Sequence, residues 1–211
     1  MNTKTKAVAI AGVVVVVLVV IGVTAMFVMP RGPQLEDVQY LLEPRIVTLP
    51  SQRVLVVEAK GDPTVMGSEA FGVLFKTYFQ LKGVPKGPKQ PAPRARWPLS
   101  LDARKEQWIG RYAMPVPDSV SSLPEQAASA SGLRAELATW EYGQAAEVLH
   151  VGPYGEEEPT IRKLLQFVKD SRYATTGEHE EEYLKGPGMF SAGDPEKYLT
   201  IIRYRLKKAG R

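Results

Sequence analysis

Two polar side chains near the end of the chain have the spacing of a small chemical site. Glu181 and Tyr183 stand two positions apart on a strand predicted over residues 181–189, so both side chains point to the same face of the sheet. A carboxylate on that face can neutralise a cationic ligand, or act as a general base if burial raises its pKa toward neutrality. The alternative is that Glu181 is a solvated charge in the acidic run 178–182.

Aromatic side chains on other predicted elements could line a binding cleft. Trp97, Trp108 and Tyr112 lie on predicted strands, and Tyr154 closes a glycine-proline turn before a predicted helix. Aromatic walls suit flat apolar or cationic ligands, which they bind by stacking and cation–π contact. Packing in the hydrophobic core is the alternative for each of these rings. We therefore expect ligand-binding residues among these four aromatics and the glutamate-tyrosine pair.

Composition excludes several kinds of site. The chain lacks cysteine, so it can form no disulfide, thiol nucleophile or cysteine-bound metal. With only two histidines it cannot build a site that needs three, and we predict neither a metal site nor a cofactor. It has no phosphate-binding glycine loop, dinucleotide fingerprint or glycine-flanked nucleophilic serine. His150, alone on its predicted strand, is interpreted as structural, and Glu58 is expected to face solvent.

The charge pattern does not indicate a nucleic-acid-binding protein. The net charge is +4, and the basic residues are scattered along the chain. The densest basic stretch, residues 82–96, is interrupted by prolines and glycines, which predicts a solvated loop rather than a nucleic-acid surface. We therefore predict no nucleic-acid partner.

The elements that must position these residues repeat once along the chain. The first half reads as a strand, an amphipathic helix and two strands, at residues 53–60, 65–81, 94–101 and 107–113. After a connection at 114–131 comes an added strand at 133–140. The same order then returns as strands at 144–151, 181–189 and 198–206, with a helix around 161–168 after the first and a turn at 176–179.

Matching positions in the two halves lie about 90 residues apart, which indicates an internal repeat. The predicted fold is therefore α+β: duplicated strand-helix-strand-strand units with pseudo-two-fold symmetry. The merged antiparallel sheet carries both helices on one face. Such an arrangement leaves a cleft between the halves, at about 43–114 and 132–208, where ligands commonly bind.

Three short motifs in this frame resemble one protein family. They read LPSQRV at 49–54, HVGPY at 150–154 and EEYLKGP at 181–187. In order and spacing they are similar to GyrI-like domains, also called AraC-type effector-binding domains, over residues 43–208. The resemblance implies a small-molecule-binding cleft between the repeats. Members of the family sense drugs, act as stand-alone binders or hydrolyse cyclopropane-containing compounds, and the resemblance makes Glu181 the ligand-contacting or catalytic carboxylate.

The N-terminal segment departs from common members of that family. No helix-turn-helix precedes the domain; residues 7–29 form an uncharged apolar run long enough for a transmembrane helix. A cleavable signal peptide is the alternative. We expect a short tail at 1–6, a membrane anchor at 7–29 and a linker at 30–42. The positive-inside rule then predicts a single-pass membrane protein with an extracytoplasmic domain.

Three hypotheses for function follow. The leading one is a membrane-tethered, non-enzymatic domain that binds small amphipathic or cationic molecules in the cleft between the repeats. The second is a hydrolase in which Glu181 activates water to open a strained electrophile. The third is a protein-interaction module without a small ligand, which a cleft filled by its own side chains would favour.

Overall fold

The computed structural model describes residues 32–97, 107–125, 132–187 and 193–209. Within these residues the helices are α1 Leu35–Val38, α2 Pro63–Gln80 and α3 Glu158–Asp170. The strands are β1 Arg45–Leu49, β2 Gln52–Lys60, β3 Arg94–Trp97, β4 Ile109–Pro115, β5 Ala135–Trp140, β6 Gly143–Val151, β7 Tyr173–Lys185 and β8 Leu199–Lys208. The prediction of an α+β fold with an antiparallel sheet is confirmed.

All eight of these strands form one antiparallel sheet in the order β1-β6-β8-β7-β3-β4-β2-β5. The first half contributes β2-β4-β3 and the second half β6-β8-β7, so each half has the same strand order from its outer to its inner strand. The halves meet where β3 pairs with β7. Strands β1 and β5 are exchanged between the halves. β1 directly precedes β2 in the sequence but pairs with β6, and β5 directly precedes β6 but pairs with β2.

The two long helices pack on the sheet through faces that their sequences encode. Helix α2 begins with Pro63 at its first position, after Asp62 accepts a hydrogen bond from the backbone N–H of Thr64 at 2.9 Å. It packs mainly against β2 and β4, whereas α3 packs against β6 and β7. In α3 the buried residues Ile161, Leu164 and Val168 follow the predicted helical spacing. Each half therefore places its own helix on its own strands.

Strand β7 differs from the sequence prediction at its start. The predicted turn at 176–179 is wrong, since β7 runs through it and pairs with β8 on both sides. The register shifts between Thr176 and His179, and Gly177 has φ +82°, a conformation that glycine adopts without strain. A β-bulge therefore replaces the turn, and the strand extends through Glu181 and Tyr183.

A row of charges crosses the sheet face opposite the helices. Glu147 on β6 binds Arg203 on β8 at 2.8 Å, and Arg203 binds Glu180 on β7 at 2.7 Å. Glu180 also binds Arg96 on β3 at 2.7 Å, across the junction between the halves. All four residues are at least nine-tenths buried. Arg203 also binds Glu182 on β7 at 3.2 Å. Because side chains alternate along a strand, placing Glu180 and Glu182 in this row turns Glu181 and Tyr183 to the helix-covered face.

The predicted linker at 30–42 folds in part against the sheet. Its described portion holds α1 and a following turn of 3-10 helix, and Leu41 is buried beside Leu149 and Leu199. These residues are therefore packed on the sheet, and the linker bounds of 30–42 stay a prediction. An apolar contact with β6 and β8 ties this segment to the sheet.

The structure also corrects the predicted membrane localisation. Among the residues that it describes, no helix is long and apolar enough to cross a bilayer. The tail predicted at 1–6 and the anchor predicted at 7–29 lie outside the described residues. The prediction of a single-pass membrane protein with an extracytoplasmic domain is overturned by this finding.

Candidate functional site

A cavity of about 630 Å³ lies between the two long helices and the sheet. Helix α2 contributes Gly67 and Phe71 to its lining, and α3 contributes Ile161. The six residues singled out from the sequence all line it: Trp97, Trp108, Tyr112, Tyr154, Glu181 and Tyr183. The fold therefore brings together aromatics from both halves around one carboxylate. That these residues bind a ligand stays a prediction.

Glu181 is held in place on the cavity side of β7. The hydroxyl of Tyr183 donates to its Oε2 at 2.6 Å, and Nε2 of His179 lies 3.0 Å from its Oε1. The other ring nitrogen of His179, Nδ1, lies 2.8 Å from the hydroxyl of Tyr204. The Glu181 side chain is 12% exposed, so the alternative of a solvated charge is wrong. Partners on both oxygens fix the orientation of the carboxylate toward the cavity.

A second carboxyl group, which the sequence prediction missed, reaches the same cavity. Glu157 precedes α3 directly, is 6% exposed, and its Oε1 has no hydrogen-bond partner among the described residues. Burial, and then the negative charge of Glu181, raise the pKa of Glu157 to about 9. Two carboxylates in one low-dielectric site disfavour double ionisation. The pair therefore holds one proton at neutral pH when no cation is bound.

The first-half wall of the cavity is a cluster of rings. Phe71 on α2 contacts Tyr112 edge-on with ring centroids 4.9 Å apart. Trp97 lies 5.6 Å from Tyr112 and 5.7 Å from Trp108. At Gly67 a Cβ would lie 3.2 Å from the Tyr112 hydroxyl, so glycine lets the helix approach this ring. Burial raises the pKa of Tyr112 to about 12, which keeps its phenol protonated.

In the second half, the wall of the cavity includes Tyr154, whose ring lies at the cavity mouth. Tyr154 is 38% exposed and lies 5.3 Å, centroid to centroid, from Tyr183. Burial of its hydroxyl end raises the pKa of Tyr154, and the neighbouring Tyr198 and Glu157 add to the rise. Tyr183 in turn contacts Phe71 of the other half at 5.9 Å. Rings from the two halves thus meet at the carboxyl pair.

His150, which the sequence predicts to be structural, and Glu58, which it predicts to face solvent, both lie outside the cavity lining. His150 is buried, with Nδ1 3.0 Å from the Thr160 hydroxyl and Nε2 3.1 Å from the Pro153 carbonyl oxygen. It therefore ties the glycine-proline turn to α3. Glu58 has a side chain 57% exposed and accepts a hydrogen bond from Arg111 at 2.9 Å on the opposite face of the sheet.

The arrangement combines acidic and apolar chemistry. The lining holds Glu157, Glu158 and Glu181 but no lysine or arginine among the described residues. His179 also lines the cavity, and it offers a ring nitrogen near the carboxyl pair. A positively charged group would therefore find acidic partners, whereas an anion would find no fixed positive charge there.

No family model matches the chain, and no curated protein matches it. Solved structures do match its fold. A hydrolase from Listeria innocua is 21% identical over 82% of this chain and 97% of its own, with a TM-score of 0.63. An uncharacterised conserved protein from the same organism is also 21% identical over the same shares of the two chains, with a TM-score of 0.64.

The C-terminal domain of EcmrR is also similar in fold. It is 14% identical over 79% of this chain and 98% of its own, with a TM-score of 0.56. At these identities the likeness concerns the fold alone. The sheet order, the two packed helices and these structural neighbours together show that the chain has a GyrI-like effector-binding fold.

Proposed function

We propose that this chain binds small amphipathic or cationic molecules in the cavity between its two halves. The observation that carries the proposal is the Glu157–Glu181 pair at an aromatic-lined cavity with no lysine or arginine in its described lining. A cationic ligand would replace the shared proton as the partner of the two carboxyl groups. The rings of Tyr154 and Trp97 would cover its apolar part.

Unpaired polar atoms support a ligand rather than a self-filled cleft. Oε1 of Glu157 and Nε1 of Trp97 are buried without a hydrogen-bond partner among the described residues, and both side chains line the cavity. Leaving a buried polar atom unpaired costs about 1–3 kcal/mol, which a ligand with matching groups would offset. The volume of about 630 Å³ lies in the range of small-molecule sites and weighs against the interaction-module hypothesis.

The matching order of strands in the two halves supports the finer proposal of a duplicated unit. Glu181 and Tyr183 come from the inner strand of the second half, and Trp97 comes from the inner strand of the first. Because β3 and β7 are paired, a ligand at their junction contacts both halves. Ligand binding would therefore stabilise the two halves together.

A thermal-shift titration of the full chain with rhodamine 6G, a cationic dye, tests the proposal. Nile red, an uncharged dye, is the matched probe, because it shares the aromatic surface but lacks the charge. We expect a rise in Tm with rhodamine 6G that Glu181→Gln reduces strongly. Glu156→Gln is the control variant, because Glu156 is exposed and lies outside the described lining. No shift with either dye, or equal shifts in wild type and Glu181→Gln, would contradict the proposal.

A second candidate function is hydrolysis of a strained electrophile. The observation that favours it is the unequal pair of carboxyl groups: the pKa of Glu157 is raised to about 9, so it can act as an acid beside the oriented carboxylate of Glu181. One solved structure of similar fold is a hydrolase. In this reading Glu181 activates water and Glu157 donates the proton. Turnover lost in Glu181→Gln while binding persists would support it; binding with no turnover would contradict it.

A further inference from the structure

Three side chains at the cavity are arranged as a set of metal ligands. Glu157, His179 and Glu181 each offer one ligand atom, and these atoms lie within 4.8 Å of one another. A first-row divalent ion forms bonds of about 2.0–2.2 Å, which holds its ligand atoms roughly 3–4 Å apart. Nε2 of His179 and Oε1 of Glu181 already lie 3.0 Å apart. A small movement of the Glu157 carboxyl group would complete the set.

The state of Glu157 is a separate sign that a cation belongs here. Glu157 is only 6% exposed and lines the cavity. Its Oε1 lacks a hydrogen-bond partner among the described residues. Buried carboxyl oxygens are normally hydrogen-bonded, paired with a cation or bound to a metal. The described lining holds no lysine or arginine that could serve as this partner.

The other two ligands have the support that metal ligands commonly have. Nδ1 of His179 lies 2.8 Å from the Tyr204 hydroxyl, which can accept its N–H and leave Nε2 free to bind a metal. The Tyr183 hydroxyl donates to Oε2 of Glu181 at 2.6 Å, which leaves Oε1 for the metal. Hydrogen bonds of this kind fix the tautomer of a ligating histidine and the orientation of a ligating carboxylate.

We infer that Glu157, His179 and Glu181 bind one first-row divalent metal ion, with Zn²⁺ as the ion that best suits one imidazole and two carboxylates. Three protein ligands leave a coordination position that faces the cavity and is open to water or a ligand. The inference goes beyond the proposed binding of organic molecules and does not need it. Because both use the same two carboxyl groups, Zn²⁺ and an organic cation would compete.

Calorimetric titration of the chelator-treated full chain with Zn²⁺ tests the inference. We expect one ion per chain and an affinity at least tenfold weaker in both His179→Gln and Glu157→Gln. Glu156→Gln should bind Zn²⁺ as the wild type does, because its exposed side chain lies outside the set. Failure of the wild type to bind Zn²⁺ at a stoichiometry near one, or an affinity unchanged in both variants, would overturn the inference.

Two further measurements separate a lost ligand from a lost fold and from the organic-ligand site. Co²⁺ can occupy zinc sites, and its visible absorption spectrum reports its ligands. This spectrum should appear in the wild type and weaken in Glu157→Gln. The measurement on Glu157→Gln holds even if His179→Gln unfolds. In the wild type, the thermal shift with rhodamine 6G is measured with a chelator present, so that dye binding and zinc binding are determined separately. A wild type that shows the dye shift but binds no Zn²⁺ would overturn the metal site, whereas a wild type that binds Zn²⁺ but shows no dye shift would overturn the proposed function.

Discussion

Glu157 and Glu181 place their carboxyl groups in one buried site although they lie on different elements, one at the start of α3 and the other within β7. Glu157 is 6% exposed, and the side chain of Glu181 is 12% exposed. Burial, and then the negative charge of Glu181, raise the pKa of Glu157 to about 9. The cavity therefore holds a group that gains or loses a proton when its surroundings change.

This pair makes stability depend on pH. The folded-state pKa of Glu157 lies above its unfolded value, so its contribution to stability is present at acidic pH and is lost as pH rises from about 4.5 to about 9. Between pH 5.5 and 8.5 the free energy of unfolding of the wild type should fall by up to about 4 kcal/mol because of Glu157, and Glu157→Gln should abolish this fall. Urea unfolding in the presence of a chelator measures it. A wild-type stability as flat over this range as that of the variant would contradict the pKa.

Removing the hydroxyl of Tyr183 should weaken the site and the fold. Tyr183→Phe takes the donor from Oε2 of Glu181, a bond of 2.6 Å, and leaves a buried carboxylate oxygen without it. The expected cost is about 1–3 kcal/mol in the free energy of unfolding. Urea unfolding at pH 7 measures it, with Tyr40→Phe as the control because Tyr40 is 60% exposed. Equal stabilities of the two variants would show that the bond contributes nothing.

The ring of Tyr154 should affect binding more than stability. It is 38% exposed at the cavity mouth, beside Tyr183 and close to the carboxyl pair. Tyr154→Leu keeps an apolar side chain but removes the π face, so the affinity for rhodamine 6G should fall about fivefold, equivalent to about 1 kcal/mol. Fluorescence titration measures this, with Nile red as the uncharged comparison. An equal loss for both dyes would argue against a cation–π contact.

Breaking the buried charge row should destabilise the fold without altering the cavity chemistry. Burial alone would raise the pKa of Glu180, but Arg203, Arg96 and Arg94 outweigh it and hold that pKa below its usual range. Glu180→Gln leaves buried arginines partly unpaired, at an expected cost of about 3–5 kcal/mol. Glu58→Gln, which breaks the exposed pair with Arg111, should cost less than about 1 kcal/mol.

Urea unfolding of the two variants measures the difference, and dye binding by the folded protein should persist in both. The pH dependence has the opposite sign to that of Glu157. The stability contributed by Glu180 is present above its unfolded pKa and is lost as pH falls through its lowered folded-state value. Equal costs for the buried and the exposed variant would show that burial does not strengthen the row.

The sequence predicted the parts of the site that follow a local period. Alternation along a strand placed Glu181 and Tyr183 on one face, and the structure confirms that both line the cavity. The apolar spacing of Ile161, Leu164, Leu165 and Val168 likewise predicted the helix α3, in which all of these residues except Leu165, at 38% exposed, are buried. Local patterns of this kind are readable because the period of a strand or helix is set by backbone geometry alone.

Other parts depend on which strands and helices meet. Glu157 stands in the run Glu156-Glu157-Glu158, and composition does not distinguish its one buried member. Its position just before α3, close to the motif at 150–154, was the available signal, but the phase of the helix start decides which glutamate turns inward. The sequence predicts a turn at His179, whereas the bulge at Gly177 places this residue on β7 beside Glu181.

By itself, then, the sequence determined the α+β class, the order of elements and the face of β7 that carries Glu181. Only the tertiary structure decided that β1 and β5 are exchanged, that Glu180 pairs with Arg96 across the junction, and that Glu157 joins Glu181. The physical reason is the separation along the chain over which each effect acts. Periodicity acts between residues a few positions apart, whereas strand pairing and shared burial bring together side chains whose separation along the chain carries no local signal.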